Sequence, residues 1–242
     1  MDVVILAGGE AEHALQIQYG IKFRASLPAK GKTMVELVAD AVQHLGEPIL
    51  VGEAQLAGVR HVPAGNSFIL SLANGLEAVQ TDQFMMVTAD LPFLGRAAVD
   101  DFVRRSDPTA ALNYPIIPVA RCESEFPGMK RTTLRLAEGV FTGGNVAVVN
   151  TQKMRRLLPN LELAYANRKS PLKLASQVGA KTLFALLWGR FVPSSLSIRK
   201  LEQNVSKMLG GPVRGVITEY ASIGTDIDNA EQYQLARTYG WL

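Results

Sequence analysis

The sequence predicts an α/β fold with a mostly parallel central sheet and helices on both faces. Three observations carry this. The runs "VVIL" (3–6), "PILVG" (48–52) and "FMMVTADLP" (84–92) are nearly continuous apolar stretches, the pattern of strands buried on both faces. Helical periodicities separate them. Two of the three runs stop on residues suited to a ligand rather than to a core, Gly8–Gly9 and Asp90.

The elements follow in order. Val3–Leu6 is the first strand. Val35, Val38, Ala39, Val42 and Leu45 recur at helical spacing, so 34–45 is an amphipathic helix ending near Gly46. "PILVG" is the next strand, and a short one lies near 59–62. In "PAGNS" (63–67), Asn66 or Ser67 caps a helix whose inner face is Ile69, Leu72, Ala73 and Leu76. The strand "FMMVTADLP" stops at Thr88–Asp90, and helix 96–104 follows. This alternation over 1–105 predicts parallel strands joined by right-handed crossovers. The second half changes character. "AALNYPIIPVA" (110–120) and "TLRLAEGVFTGGNVAVVN" (133–150) read as strands joined by turns, with no helix between them. Helices dominate from about 151 to 209, and Ser197 caps the last, which stops at Gly210–Gly211. A strand (213–220) and a helix (229–238) close the chain. The reading is one domain, 1–242, whose second half (106–242) is specialised for a different ligand from the first (1–105), with no flexible linker.

Composition bounds the function. The 242 residues are 48% hydrophobic and 19% charged, enough to bury a sizeable core. A net charge of +3 is too slight for a nucleic-acid surface but suits a local phosphate site. The single cysteine, Cys122, excludes an internal disulfide framework and a multi-cysteine metal centre, and agrees with a reducing cytoplasm. No signal-peptide pattern opens the chain, and no apolar run approaches the roughly 20 residues of a membrane span. In the richest run, "TLFALLWG" (182–189), Leu183, Leu186 and Leu187 read as core or as a homodimer contact. His13, His44 and His61 are scattered and read as structural.

A strand that ends in glycines presents backbone N–H groups at the sheet's carboxyl edge, where a phosphate approaches without meeting a Cβ. Neither familiar nucleotide motif is present. The dinucleotide fingerprint G-x-G-x-x-G stops after its first pair in "GGEAEH", and "GKT" (31–33) lacks the earlier glycine of a P-loop, with Ser26 in its place. Asp90 ends an apolar strand, and a buried carboxylate is expensive unless paired or metal-bound. In "DIDN" (226–229), Asp226 and Asp228 alternate along an extended segment and so point the same way. Alone, that pair also reads as a helix-capping turn. With Asp90 and the glycine edge, the metal reading leads, because a phosphate-clamping cation takes one or two carboxylates and keeps several waters.

This ordered set resembles the nucleotidyltransferases of the molybdenum-cofactor guanylyltransferase type, the MobA-like NTP transferases, over nearly the whole chain. The resemblance lies in "LAGG" (6–9), "LPAKGKTMVELVADAV" (27–42), "VTADLPFL" (87–94) and "DIDNAEQ" (226–232). It implies a GT-A-like, Rossmannoid nucleotide-diphospho-sugar transferase fold with a helical C-terminal cover. It implies transfer of a nucleoside monophosphate from an NTP to a small phosphorylated acceptor, with release of pyrophosphate. Mg²⁺ would be held by Asp90 and Asp228, with Arg24 completing the catalytic set. The nucleotide would lie against Leu6, Ala7, Gly8, Gly9, Arg24, Gly65 and Asn66. Gly143, Gly144 and Asn145 would face the acceptor, and Lys130, Arg131, Arg168, Lys169 and Lys173 would make that acceptor small and anionic, with a second charge beside its phosphate. Arg24 stands where the family carries a lysine, and the family's Arg-Met-Gly after the loop is missing. Two alternatives stay open: a nucleotide-binding regulatory module that has lost catalysis, and a nucleotide-sugar glycosyltransferase.

Overall fold

The computed structural model describes residues 1–166 and 196–242. The expectations placed on Arg168, Lys169, Lys173 and the 182–189 run lie outside these residues. Four parallel strands form the first half of the sheet, in the order β5 (Arg60–Val62), β4 (Pro48–Val51), β1 (Asp2–Leu6), β6 (Gln83–Thr88). Ile5 pairs with both Leu50 and Val87. Beside β6 the direction reverses: β10 (Val146–Asn150) runs antiparallel to it, and β7 (Leu112–Pro118) antiparallel to β10. β11 (Val213–Ile217) runs parallel to β7, and β9 (Gly139–Gly143) and β8 (Leu134–Leu136) continue from the other half of β7. One sheet therefore crosses both halves of the chain. A small hairpin, β2 (Pro28–Ala29) and β3 (Lys32–Thr33), stands apart. Its turn is Lys30–Gly31, both at positive φ, which explains why "GKT" is not a phosphate loop.

The apolar run of β1 serves two layers. Val3 and Ile5 pack with Val35 and Val38 of α2 (Met34–Val42) and Val99 and Phe102 of α4 (Arg96–Arg105). Val4 and Leu6 pack with Leu72 and Leu76 of α3 (Phe68–Ala78), Met154 and Leu157 of α6 (Thr151–Ala166) and Leu209 of α7 (Ile198–Leu209). Alternate side chains of a strand face opposite layers, so a strand covered on both sides shows no polar alternation. Local signals set the helix starts. Thr33 and Glu36 form a capping box at α2, and Ser67, Ser197 and Asn229 cap α3, α7 and α8 (Ala230–Thr238) with their side chains. α7 ends at Gly210 in the left-handed conformation.

Two helices correct the sequence reading. The stretch after β7 is not turn alone: α5 (Val119–Glu125) follows Pro118 directly. Proline ends the strand by lacking an N–H, and its fixed φ suits the residue before a helix. The apolar "PIIPVA" hides this boundary. α1 (His13–Tyr19) also went unread, since it buries only Leu15 and has no side-chain cap. A third cluster packs α1 and α8 together through Leu15, Leu27, Met34, Ile227 and Tyr233. It ties the end of the chain to its beginning.

Gly75 shows how closely α3 lies on the sheet. A Cβ there would stand 2.6 Å from Val4 Cγ1 and 2.8 Å from Val51 Cγ2. Gly75→Ala should therefore destabilise the protein by about 1–3 kcal/mol through overpacking, outweighing the gain of about 1 kcal/mol in helix propensity. Urea unfolding measures the sign; a stabilised variant would show that α3 can move off the sheet.

Candidate active site

The loop after β1 turns at the carboxyl edge of the sheet, where open α/β sheets take their ligands. The Ala7 N–H donates to the Val51 carbonyl at 2.8 Å. Among the described residues no acceptor bonds the amides of Gly8 and Gly9. The Gly9 carbonyl accepts the Arg24 N–H at 3.0 Å, and a Cβ on Gly9 would lie 2.8 Å from Arg24 Nη2. Glycine at this position lets the guanidinium lie on the loop. Leu6, Ala7, Gly8, Gly9, Arg24, Gly65 and Asn66 all line one pocket of about 330 Å³, together with Thr88 and Asp90. Ser67, Phe68 and Ser71 share this wall and were not singled out from sequence.

Three carboxylates meet beside the pocket. Asp90 is buried at the end of the β6 segment. Asp226 and Asp228 flank Ile227, which is fully buried and donates its N–H to the Asp90 carbonyl at 3.0 Å. With Ile227 anchored inward, its neighbours project the other way. One oxygen from each of the three side chains lies within 4.8 Å of the others. Arg24 Nη2 is 3.3 Å from Asp90 Oδ2, and Arg24 Nη1 bonds Asp228 Oδ1. The Asn145 side chain lies beside Asp226 and pulls its pKa down against the effect of burial. Asp226 thus joins Asp90 and Asp228 as a third carboxylate, as the alternation in D-I-D indicated, although the resemblance implied only Asp90 and Asp228 as metal ligands.

Burial is the main cause of the electrostatics here. It pushes the Asp90 carboxyl above its usual range, against the pull of Arg24. Burial, then repulsion from Asp90 and Asp228, raises Asp226 to about 6. Asp90 Oδ1, Thr88 Oγ1 and Arg24 Nε are buried without a hydrogen-bond partner. Such orphans cost about 1–3 kcal/mol each, so the arrangement is built for a ligand that satisfies them. Three acids against one guanidinium leave negative charge over, and carboxylate oxygens suit a hard divalent cation. The residues fit one.

Asp226 and Asp228 also line a second cavity of about 890 Å³, with Gly143, Asn145, Lys130 and Arg131 on its wall. Two expectations change. Gly144 is not on that wall; its backbone is pressed on the segment Ala221–Gly224, where a Cβ would stand 2.7 Å from Ile223 Cγ2 and 2.9 Å from Pro115 Cγ. The Lys130 ammonium is already paired with Glu231 at 2.8 Å. His44 bonds Asp100 at 2.6 Å, between α2 and α4.

The chain matches the MobA-like NTP transferase domain over residues 3–184. It belongs to the MobA-like NTP transferase family. That family is one of nucleotidyltransferases, which goes against the glycosyltransferase alternative. A hypothetical transferase from Thermus thermophilus is 34% identical, with a TM-score of 0.86 over 96% of this chain and 98% of the other. A 2-C-methyl-D-erythritol 4-phosphate cytidylyltransferase from Thermus thermophilus has the same fold, at 19% identity and a TM-score of 0.60 over 100% of this chain and 98% of that one. So does a CMP:2-keto-3-deoxy-manno-octonic acid synthetase complexed with CTP, at 14% identity and a TM-score of 0.57 over 99% and 98%. No curated protein sequence matches the chain. Among the described residues no helix is long and apolar enough to cross a membrane.

The carboxylates predict a pH dependence. Asp226 titrates at about 6 when folded against 3.8 for a free side chain. Between those values the native state holds the extra proton, so in chelator stability should fall as pH rises from about 4 to about 6, then level off. Asp226→Asn should flatten that slope in a series of urea midpoints. An unchanged slope would show that Asp226 is not its source.

Proposed function

We propose that this protein is a Mg²⁺-dependent nucleotidyltransferase that moves an NMP group from an NTP to a small phosphorylated acceptor and releases pyrophosphate. One observation carries the reading: the carboxylates form a common wall between two cavities. Asp90 lines the glycine pocket, and Asp226 and Asp228 line the larger cavity. A nucleotide in the first and an acceptor phosphate in the second would meet at the triad. The division into a nucleotide-binding half, 1–105, and an acceptor-binding half, 106–242, belongs to this proposal.

Each residue then has a task. The amides of Gly8 and Gly9 and the Arg24 guanidinium bind the triphosphate, with Arg24 able to use two N–H groups at once. Gly65 and Asn66 face the ribose or base. Asp90, Asp226 and Asp228 would hold the cation, which would supply neutralisation of phosphate charge. Asn145 keeps Asp226 in place. The acceptor phosphate is already an anionic nucleophile, so positioning does most of the work and no Ser–His–Asp triad is needed. NTP supply and a reduced Cys122 both suit the cytoplasm. A module that binds without turnover remains the second reading, favoured by Arg24 already bonding two of the three acids.

Calorimetry with Mg²⁺ and ATP, GTP, CTP or UTP should show binding of at least one NTP. CTP has a particular claim, since two structures of the same fold bear cytidylyl names. Pyrophosphate release with a panel of phosphorylated acceptors should follow. Asp90→Asn should spare the fold and lower turnover on the order of 10²–10⁴. Absence of NTP binding in Mg²⁺ overturns the reading; binding without pyrophosphate release from any acceptor selects the regulatory module.

A further inference from the structure

Among the described residues, the larger cavity has an extensive apolar wall. Tyr114 and Ile116 share one face of β7 by strand alternation, and Leu201 and Val205 stand one turn apart on α7. With Leu134 and Phe141 these side chains make an apolar wall across a space of about 890 Å³. Large apolar groups remain uncovered there: Tyr114 is 39% and Leu134 38% exposed. The charge is equally uneven. Lys130 is paired with Glu231, and Arg214 with Asp107 at 3.2 Å. Among the described residues this leaves Arg131 as the wall's cation without an acidic partner, and its Nη1 is buried with no hydrogen bond. The carboxylates and Asn145 make the polar end.

We propose that the acceptor is a phosphate monoester with a predominantly apolar body, aliphatic or aromatic, rather than a polyol or sugar phosphate. This rests on the transferase reading and narrows its acceptor class. The apolar body lies between β7 and α7, and its phosphate reaches the carboxylate end. There an acceptor phosphate oxygen attacks the α-phosphorus of the NTP. A new P–O–P bond forms, the bond from the α-phosphorus to the bridging oxygen breaks, and pyrophosphate leaves with that electron pair. A cavity near the top of the range of roughly 300–1,000 Å³ for small-molecule sites has room for such a body. A glycerol phosphate would leave most of the apolar wall in water.

Chain-length dependence tests this directly. Octyl phosphate, methyl phosphate and 1-octanol are titrated by calorimetry into the full-length protein with Mg²⁺, below the micellar range. Octyl phosphate should bind about tenfold tighter than methyl phosphate, or better, with a negative heat-capacity change, because burying methylenes is favourable. It should also bind about tenfold tighter than 1-octanol, because the polar end takes the phosphate. Leu134→Ser, at a half-exposed position, and Leu201→Ser should each weaken octyl phosphate about fivefold through lost apolar contact, while methyl phosphate and NTP binding stay unchanged. Equal affinity for octyl and methyl phosphate, equal affinity for 1-octanol, or wild-type binding in both variants overturns the proposal. NTP titration in the same buffer separates the two claims. NTP binding without chain-length dependence overturns the acceptor class alone. Chain-length dependence without NTP binding overturns the transferase reading and keeps an apolar phosphate as the cavity's ligand.

Discussion

Arg24 holds the site together. Its backbone N–H bonds Gly9, and its guanidinium lies over that glycine and reaches Asp90 and Asp228. The three contacts come from the start of the chain, the middle strand and the last segment. The buried carboxylate of Asp90 is tolerable only with a counter-charge, and the same guanidinium also reaches the exposed Asp228. The third, Asp226, is left with Asn145 and an elevated pKa. The site is thus electrostatically incomplete as it stands, and the orphaned atoms of Asp90, Thr88 and Arg24 mark where completion is needed.

The scaffold sets these groups by simple geometry. β1 and β6 are neighbours in the sheet, so Gly8–Gly9 and Asp90 emerge at the same edge although far apart in sequence. The buried Ile227 fixes the direction of two acids at once. On the opposite side, β7, β9 and α7 shape the larger cavity. The three carboxylates sit on the seam between parallel and reversed strands, and the two cavities take their different linings from the two parts of the sheet.

The sequence made much of this legible. Continuous apolar runs reveal strands buried on both sides, and Ser67, Ser197 and Asn229 announce the helices they cap. Gly9 and Asp90 stand out because neither residue type belongs at an apolar strand end without a reason. What stayed hidden depends on tertiary contacts. α1 buries one leucine, too weak a stripe to see. Pro118 divides a strand from a helix inside a run that looks uniformly apolar. Gly144 resembles a ligand glycine but is a packing glycine, and only its neighbours Ile223 and Pro115 reveal that. Lys130 looks available until Glu231, far along the chain, is seen beside it. The apolar lining of the second cavity comes from five separate elements, no one of which has an unusual composition.

The strand order has a consequence for synthesis on the ribosome. β6 is complete at Thr88, yet one of its two edges is covered by β10, which ends at Asn150. Until that later strand emerges, a hydrophobic strand presents an open row of amide and carbonyl groups, the hazard that edge strands carry. The nascent chain passes through a stage at which its first half has a core but no closed border. A fragment cut after residue 105 would stay at that stage, prone to pair with its own copies. Residue 105 is therefore not a boundary between folding units.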